Sequence, residues 1–165
     1  MGPEQLGRLA DEHAAALILY ARQWCTAPED VVQEAFLKLV LQKRAPERAV
    51  AWLFRVVRNG AISAGRSEWR RHRREATVAA RGAMWFSPSE PPGLDGEQAA
   101  AALETLPAQQ REVIVAHLWG GLTFEEIAQV MEASSSSTHR WYLAGLATLR
   151  ERLGVSCPQK PRIPT

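Results

Sequence analysis

Apolar residues recur along this chain at spacings of three and four, and strand-like alternation is scarce, so the pattern predicts an all-α protein. Leu6, Leu9, His13, Ala16, Leu17 and Tyr20 share one face of a first helix. Pro28 stands near the start of a second, where its missing N–H does no harm. Val31, Val32, Ala35, Phe36, Leu39 and Val40 form the apolar stripe of that helix, with Asp30, Gln33, Glu34 and Lys38 off it. Pro46 interrupts the pattern in "QKRAPER". A third helix begins near Ala49, buries Trp52, Leu53, Val56, Val57 and Ile62, and passes into "RSEWRRHRRE".

Periodicity then lapses. "RGAMWFSPSEPPGLDGE", rich in proline and glycine, reads as an interdomain linker, with Met84, Trp85 and Phe86 as a hydrophobic tether or partner contact. A helical pattern resumes in "AAALETLPAQQREVIVAHLWGG": Pro107 suits a first helical turn, Val113, Ile114, His117 and Leu118 continue the apolar face, and Gly120 and Gly121 stop it. "TFEE" matches a capping box of Thr123 and Glu126, and Ile127, Val130 and Met131 bury the short helix behind it. The expected organisation is two small helical domains, 1–80 and 99–154, joined by a linker over 81–98, with a proline-rich tail over 155–165 that frays.

Between the last two apolar patterns lies "EASSSSTHRWYLAG". A capped short helix, a polar turn and a second amphipathic helix make a helix-turn-helix pattern. The second helix of such a unit enters a major groove by its N-terminal end, where bulky groups would hold the backbone off phosphate. Ser135, Ser136, Ser137 and Thr138 permit close approach and offer hydroxyl and N–H donors. His139 and Arg140 follow in the first turns, within reach of base edges, and arginine pairs with guanine in a bidentate fork. Tyr142, Leu146 and Leu149 would face back into the domain.

Charge sharpens this picture. The formal net charge is only +2, but arginine dominates between Arg55 and Arg81 while Glu12, Glu29, Asp30 and Glu34 make the earlier part acidic. Such asymmetry suggests a polyanion for one surface and a different partner for another; the bland alternative is a solvated helix face. Cys25 and Cys157 form no CxxC pair, which fits a reducing cytosol, and the histidines lack metal-ligand spacing, so neither metal nor other cofactor is expected. No signal-peptide layout opens the chain, and no apolar run approaches the roughly 20 residues that span a bilayer. A soluble cytoplasmic protein without a small-molecule substrate is expected.

"PEDVVQEAFLKLV" followed by "AWLFRVVRNGAI" resembles region two of bacterial sigma factors of the extracytoplasmic-function group within the sigma-70 family. "LETLPAQQREVIVAHLWGGLTFEEIAQVM" with "STHRWYLAGLATLRERL" resembles their region four, and the likeness runs in the family's order from about Leu6 to Leu153. It implies a promoter-specificity subunit, not itself an enzyme. Its partners would be core RNA polymerase (β′ and β subunits), promoter DNA and, as for many relatives, an anti-sigma factor. By match of position, Asp30, Gln33 and Glu34 would dock on the β′ coiled coil, being neighbours at i, i+3 and i+4. Trp52, Arg55, Arg58 and Asn59 would meet the melted minus-ten element, although Trp52 is equally a core residue by pattern. Arg66, Arg70, Arg71, Arg73 and Arg74, interleaved with Trp69, would track the DNA backbone, supplying the cationic groove and aromatic surface that unpaired strands need. The chain departs from the family in a short aromatic-free loop, "QKRAPERAVA", and in Ser63 where aspartate is common. Its recognition helix also carries few basic residues, with none after Arg140 until Arg150.

Three other readings stay open at this stage. A stand-alone helix-turn-helix regulator needs enough positive charge to hold duplex DNA alone, and +2 is modest for that. An enzyme is opposed by the lack of a P-loop, GxSxG, HExxH or dinucleotide turn, and adjacent Glu125 and Glu126 point to different helix faces. An all-α adaptor without a DNA role would leave Arg58 and Arg140 dispensable.

Overall fold

The computed structural model describes residues 2–75 and 101–154, all helix, turn or connecting segment with no strand among them. Helix α1 spans Pro3–Ala21, α2 Pro28–Val40 and α3 Ala49–Glu75. Both α1 and α2 begin on proline, whose fixed φ suits a first helical position. Glu29 and Asp30 in the first turn of α2 and Lys38 in its last complement the helix dipole. The three helices pack pairwise around Leu17, Tyr20, Val32, Ala35, Leu39, Leu53, Phe54, Val57 and Ala61. Tyr20 meets Trp24 and Phe54 edge-on at centroid separations of 5.2 and 4.9 Å, a favoured aromatic geometry.

Past Ala61, α3 leaves this core and carries its arginines into solvent. Gly65 fixes where it does so: a Cβ there would lie 2.0 Å from the carbonyl oxygen of Trp24, so the α1–α2 connection rests directly on the α3 backbone. One turn on, the Glu68 carboxylate accepts the Thr26 N–H at 3.2 Å and closes the same connection.

In the second half, residues 101–104 are helical, α4 is Ala108–Ile114, α5 is Phe124–Met131 and α6 is Ser135–Arg152. Pro107 caps α4 from outside, extended at ψ 145°, one residue short of the helical turn expected for it. Beyond Ile114 the helix widens into a π turn, Val115–Trp119, closed by the Gly120 N–H bonding to the Val115 carbonyl five residues back at 3.1 Å. That wider turn shifts the side-chain register. Val115 and Ala116 become fully buried, whereas Leu118, expected on the apolar face, is half exposed. Gly121 then reverses the chain at φ +68°, and the Thr123–Glu126 capping box forms reciprocally, at 2.9 and 3.2 Å.

The two helical units touch. Val113, Val115, Ala116, Leu122, Ile127 and Val130 belong to the same buried cluster as Leu17, Tyr20 and Phe54. Gly120 permits the closest approach, since a Cβ there would fall 2.5 Å from Cζ of Phe54. The linker and the Met84, Trp85 and Phe86 tether lie outside the described residues, as does Cys157.

Replacing Gly65 by alanine is expected to destabilise the chain by about 1–3 kcal/mol, because neither backbone it would separate is a flexible side-chain end. Gly7→Ala, with nothing within 4 Å of the added carbon in α1, is expected to stabilise by roughly 0.5–1 kcal/mol instead. Urea unfolding followed by circular dichroism compares the two.

Candidate nucleic-acid interface

Four consecutive serines start α6 by capping it. Ser134 is the N-cap, its hydroxyl oxygen accepting the Ser137 N–H at 3.1 Å, and its own proton goes to Ser137 Oγ at 2.9 Å. Ser135 and Ser137 are half-buried and Ser136 is exposed. Thr138 departs from the expectation that it would offer its hydroxyl to DNA. It is fully buried, and its hydroxyl lies 2.8 Å from the Ser135 carbonyl and 3.2 Å from that of Phe124, tying α6 to α5. A branched residue facing the partner helix is covered where an outward serine is not.

His139 and Arg140 are exposed, and His139 is held edge-on against Phe124 at 5.0 Å. Phe124 stacks in turn on His117, whose Nδ1 lies 2.7 Å from the Leu122 carbonyl oxygen. The aromatic layer under the helix-turn-helix therefore orients His139 outward. Tyr142 and Leu149 pack on the core as expected, Leu146 is partly buried, and Gly145 lets Ile114 approach. Leu143, half exposed, shares the outer stripe with Ser136, His139 and Arg140 at i+7, i+4 and i+3; sequence reading passed it over.

On α3 the expected minus-ten residues divide. Arg66, Arg70, Arg71, Arg73 and Arg74 are exposed along the solvated arm, and Trp69 is exposed with the Arg73 guanidinium 5.2 Å from its ring centroid. Asn59 is exposed in a groove between α2 and α3 that Glu34, Lys38 and Ser63 also line. Trp52 is half-buried, and with Arg55 it lines a groove whose far wall is Glu126, Gln129 and Val130 of α5.

Arg58 is engaged already. Its Nε donates to Oε1 of Glu112 at 2.5 Å, and the Tyr20 hydroxyl donates to the same oxygen at 2.6 Å. Glu112 is 3% exposed, so this carboxylate is satisfied by partners from α1 and α3 while its own backbone belongs to α4. Burial, reinforced by the Glu112 charge, pushes the Tyr20 hydroxyl well above its ordinary value and keeps it a donor. Burial opposes the Arg58 charge, yet the hydrogen bond and charge of Glu112 outweigh it and raise Arg58 above its ordinary value. Sequence reading had no purchase on Glu112, a carboxylate in "REVIV" that looks solvated; its one signal is the i+4 relation to Ala116 on the inner face.

On α2, Asp30, Gln33 and Glu34 are all exposed, and Lys38 pairs with Glu34 at 2.8 Å. The same stripe continues into Leu37, 58% exposed, and Leu41, 80% exposed, which the pattern left unmarked. Cys25 is buried with its thiol pushed up to about 11 by burial and then by Glu68, so it is no thiolate ligand. Among the described residues, no group of histidine, cysteine and carboxylate side chains could hold a metal ion. No described helix is long and apolar enough to cross a membrane.

Residues 9–71 match the family model of Sigma-70 region 2, and residues 96–149 match that of Sigma-70, region 4. The fold is similar to that of the sigma factor RpoE from Bartonella quintana, co-crystallised with the anti-sigma factor NepR. The TM-score is 0.72 at 22% identity, covering 94% of this chain and 100% of that one. It is also similar to CnrH, solved in complex with the cytosolic domain of CnrY, with a TM-score of 0.58, 23% identity and coverage of 94% and 92%. No curated protein sequence matches the chain.

Thr138→Val is expected to lower stability by about 0.5–1.5 kcal/mol through the lost interhelical hydrogen bond. The salt dependence of DNA binding should stay the same, since the side chain does not reach the surface. Thermal unfolding and anisotropy titrations at several salt concentrations measure both.

Proposed function

The chain belongs to the sigma-70 family of RNA polymerase sigma factors, with region 2 followed by region 4, and on that premise we propose that it is a promoter-specificity subunit of the extracytoplasmic-function type. The observation that carries this reading is the pairing of both family regions, in order, with an exposed cationic arm on one and an exposed, serine-capped recognition helix on the other. It binds core polymerase and promoter DNA and catalyses nothing itself. Strand opening draws on binding energy, as captured unpaired bases offset lost stacking. It works in the cytoplasm without a cofactor. An anti-sigma factor is a further partner of this kind of chain, in keeping with the complexes in which RpoE and CnrH were solved.

Within that role, Asp30, Gln33 and Glu34 grip the β′ subunit, and the exposed Leu37 and Leu41 suit a protein surface beside them. Trp52, Arg55, Arg58 and Asn59 read the melted minus-ten strand, and Arg66, Trp69, Arg70, Arg71, Arg73 and Arg74 follow its backbone. Ser135, Ser136 and Ser137 seat the recognition helix on phosphate, His139 and Arg140 read bases of the minus-thirty-five element, and Leu143 supplies an apolar contact for a thymine methyl. The division of labour is residues 1–80 for polymerase and the minus-ten element, 99–154 for the minus-thirty-five element, and 81–98 as the tether.

Pull-down with core polymerase followed by run-off transcription from a promoter library tests the whole reading; a chain that binds core without conferring start-site choice would refute it. Asp30→Ala with Glu34→Ala is expected to weaken co-purification with core by about tenfold, near 1.4 kcal/mol, at unchanged helical content. Arg140→Ala should cut discrimination among upstream promoter sequences by about tenfold, within the roughly 1–3 kcal/mol of a bidentate base contact. Arg70→Ala and Arg71→Ala should lower affinity evenly across sequences and flatten the salt slope by about one per lost phosphate contact.

A further inference from the structure

Taking α2 as the polymerase grip, we propose that the same face pairs with a second copy of this chain, so that two free molecules cap each other's polymerase-binding helix. The exposed stripe of α2 carries the pattern of a helix–helix seam. Asp30, Glu34, Leu37 and Leu41 stand at spacings of four, three and four, and every one of them is exposed. Leu41 closes the helix in right-handed backbone geometry, its N–H bonded to the Leu37 carbonyl at 3.1 Å, and so stays on the stripe. It is the most exposed large apolar side chain among the described residues. Alongside, Pro3 and Leu6 of α1 line an open apolar groove with Leu39, Val40 and Ala45.

Charge order identifies the occupant. The stripe runs acidic, then apolar, then basic: Asp30 and Glu34 come first, the leucines follow, and Lys43 and Arg44 come directly after them, exposed. Asp30, Lys43 and Arg44 enter no ion pair among the described residues, and Glu34 pairs with Lys38 alone. Such an order is its own complement when reversed. Laid antiparallel, Leu37 of one copy meets Leu41 of the second, and Glu34 comes level with Arg44 of the second. The Asp30 end of each helix then faces the basic segment of the opposite copy. A parallel pairing would set acid against acid. The antiparallel one is isologous, so each contact occurs twice, and Leu41 of each copy seats between Leu37 and the groove edge at Val40 of the opposite copy.

Four stripe positions and one groove make a small interface, of the weak and transient class rather than the permanent one. Pairing therefore follows concentration: dilute chain is free for core polymerase, and surplus chain is stored as dimer. Polymerase and the second copy compete for one face. Core binding draws the dimers apart, and its apparent affinity is reduced by the fraction of chain that is paired.

Sedimentation velocity of the full chain over rising concentration, with charge-reversed variants run singly and mixed, tests this. The wild type is expected to pass from monomer to dimer. Glu34→Arg and Arg44→Glu, each alone, should raise the dimer Kd about tenfold or more through like-charge contact. An equimolar mixture of the two restores both pairs in a heterodimer, and its Kd should return close to the wild-type value. Leu41→Asp, a change at a solvated position, should abolish the dimer at unchanged helical content by circular dichroism. A wild type that stays monomeric up to its solubility limit leaves this face to polymerase alone and overturns the pairing. A dimer that tolerates all three substitutions, or a mixture no tighter than its separate components, overturns it too. Adding core polymerase to fluorescently labelled wild type should dissolve the dimer; a dimer that persists on core defeats the masking. Run-off transcription by the wild type separates the two layers: dimers that form without promoter-dependent transcription sink the polymerase-grip assignment and not the pairing.

Discussion

A carboxylate taken out of water between two helical units constrains everything around it. Glu112 is almost wholly buried, and a charge so placed must be paired and hydrogen-bonded or it would neutralise or unfold its surroundings. Its two donors come from distant parts of the chain, so the pairing fixes α1, α3 and α4 relative to one another. The neighbouring geometry serves that placement. The π turn after Ile114 brings Val115 and Ala116 inward, and Gly120 then lets the Phe54 ring seat against the turn. Tyr20 is held for its bond by Trp24 and Phe54 on its ring faces and edges.

Helix α3 carries two demands at once. Leu53, Phe54, Val57 and Ala61 hold it in the three-helix core, and off that face Arg58 is bound to Glu112 and Trp52 is half-buried, whereas Arg55 and Asn59 stay exposed. The second unit packs against this side of the helix through Glu112 on Arg58 and Gly120 on Phe54. From Arg66 onward no such conflict exists. Its arginines are exposed there, Glu68 alone turns back to accept the Thr26 N–H, and Trp69 is covered in part by Arg73.

Local rules made the helices and their ends legible. Pro28 opens α2, Thr123 and Glu126 form their reciprocal cap, and Ser134 caps α6 through Ser137, because each depends on residues three or four apart. The inward turn of Tyr142 and Leu149 followed from period alone. What stayed hidden depends on tertiary contact. The π turn that exposes Leu118 places Val115 and Ala116 in one cluster with Tyr20 and Phe54, residues that no local window of the sequence contains. Thr138 could not be told from the serines before it until α5 was seen against it. The stripe of Asp30, Gln33, Glu34, Leu37 and Leu41 was read for its polar members only, since leucines on a helix default to core. The Arg58–Glu112 pair spans 54 residues, and no local pattern distinguishes either member from a solvated charge.

Charge and apolarity together separate the partner classes of the surfaces. A face that mixes exposed leucines with Asp30 and Glu34 repels phosphate and suits a protein. The arm of Arg66, Arg70, Arg71, Arg73 and Arg74 does the reverse. The recognition helix lies between these extremes: Arg140 is its one cation between Ser135 and Leu149, so duplex contact there yields specificity with little electrostatic affinity. Such a reader gains occupancy only when its second surface is tethered to the same complex, where the linked site acts at high effective concentration.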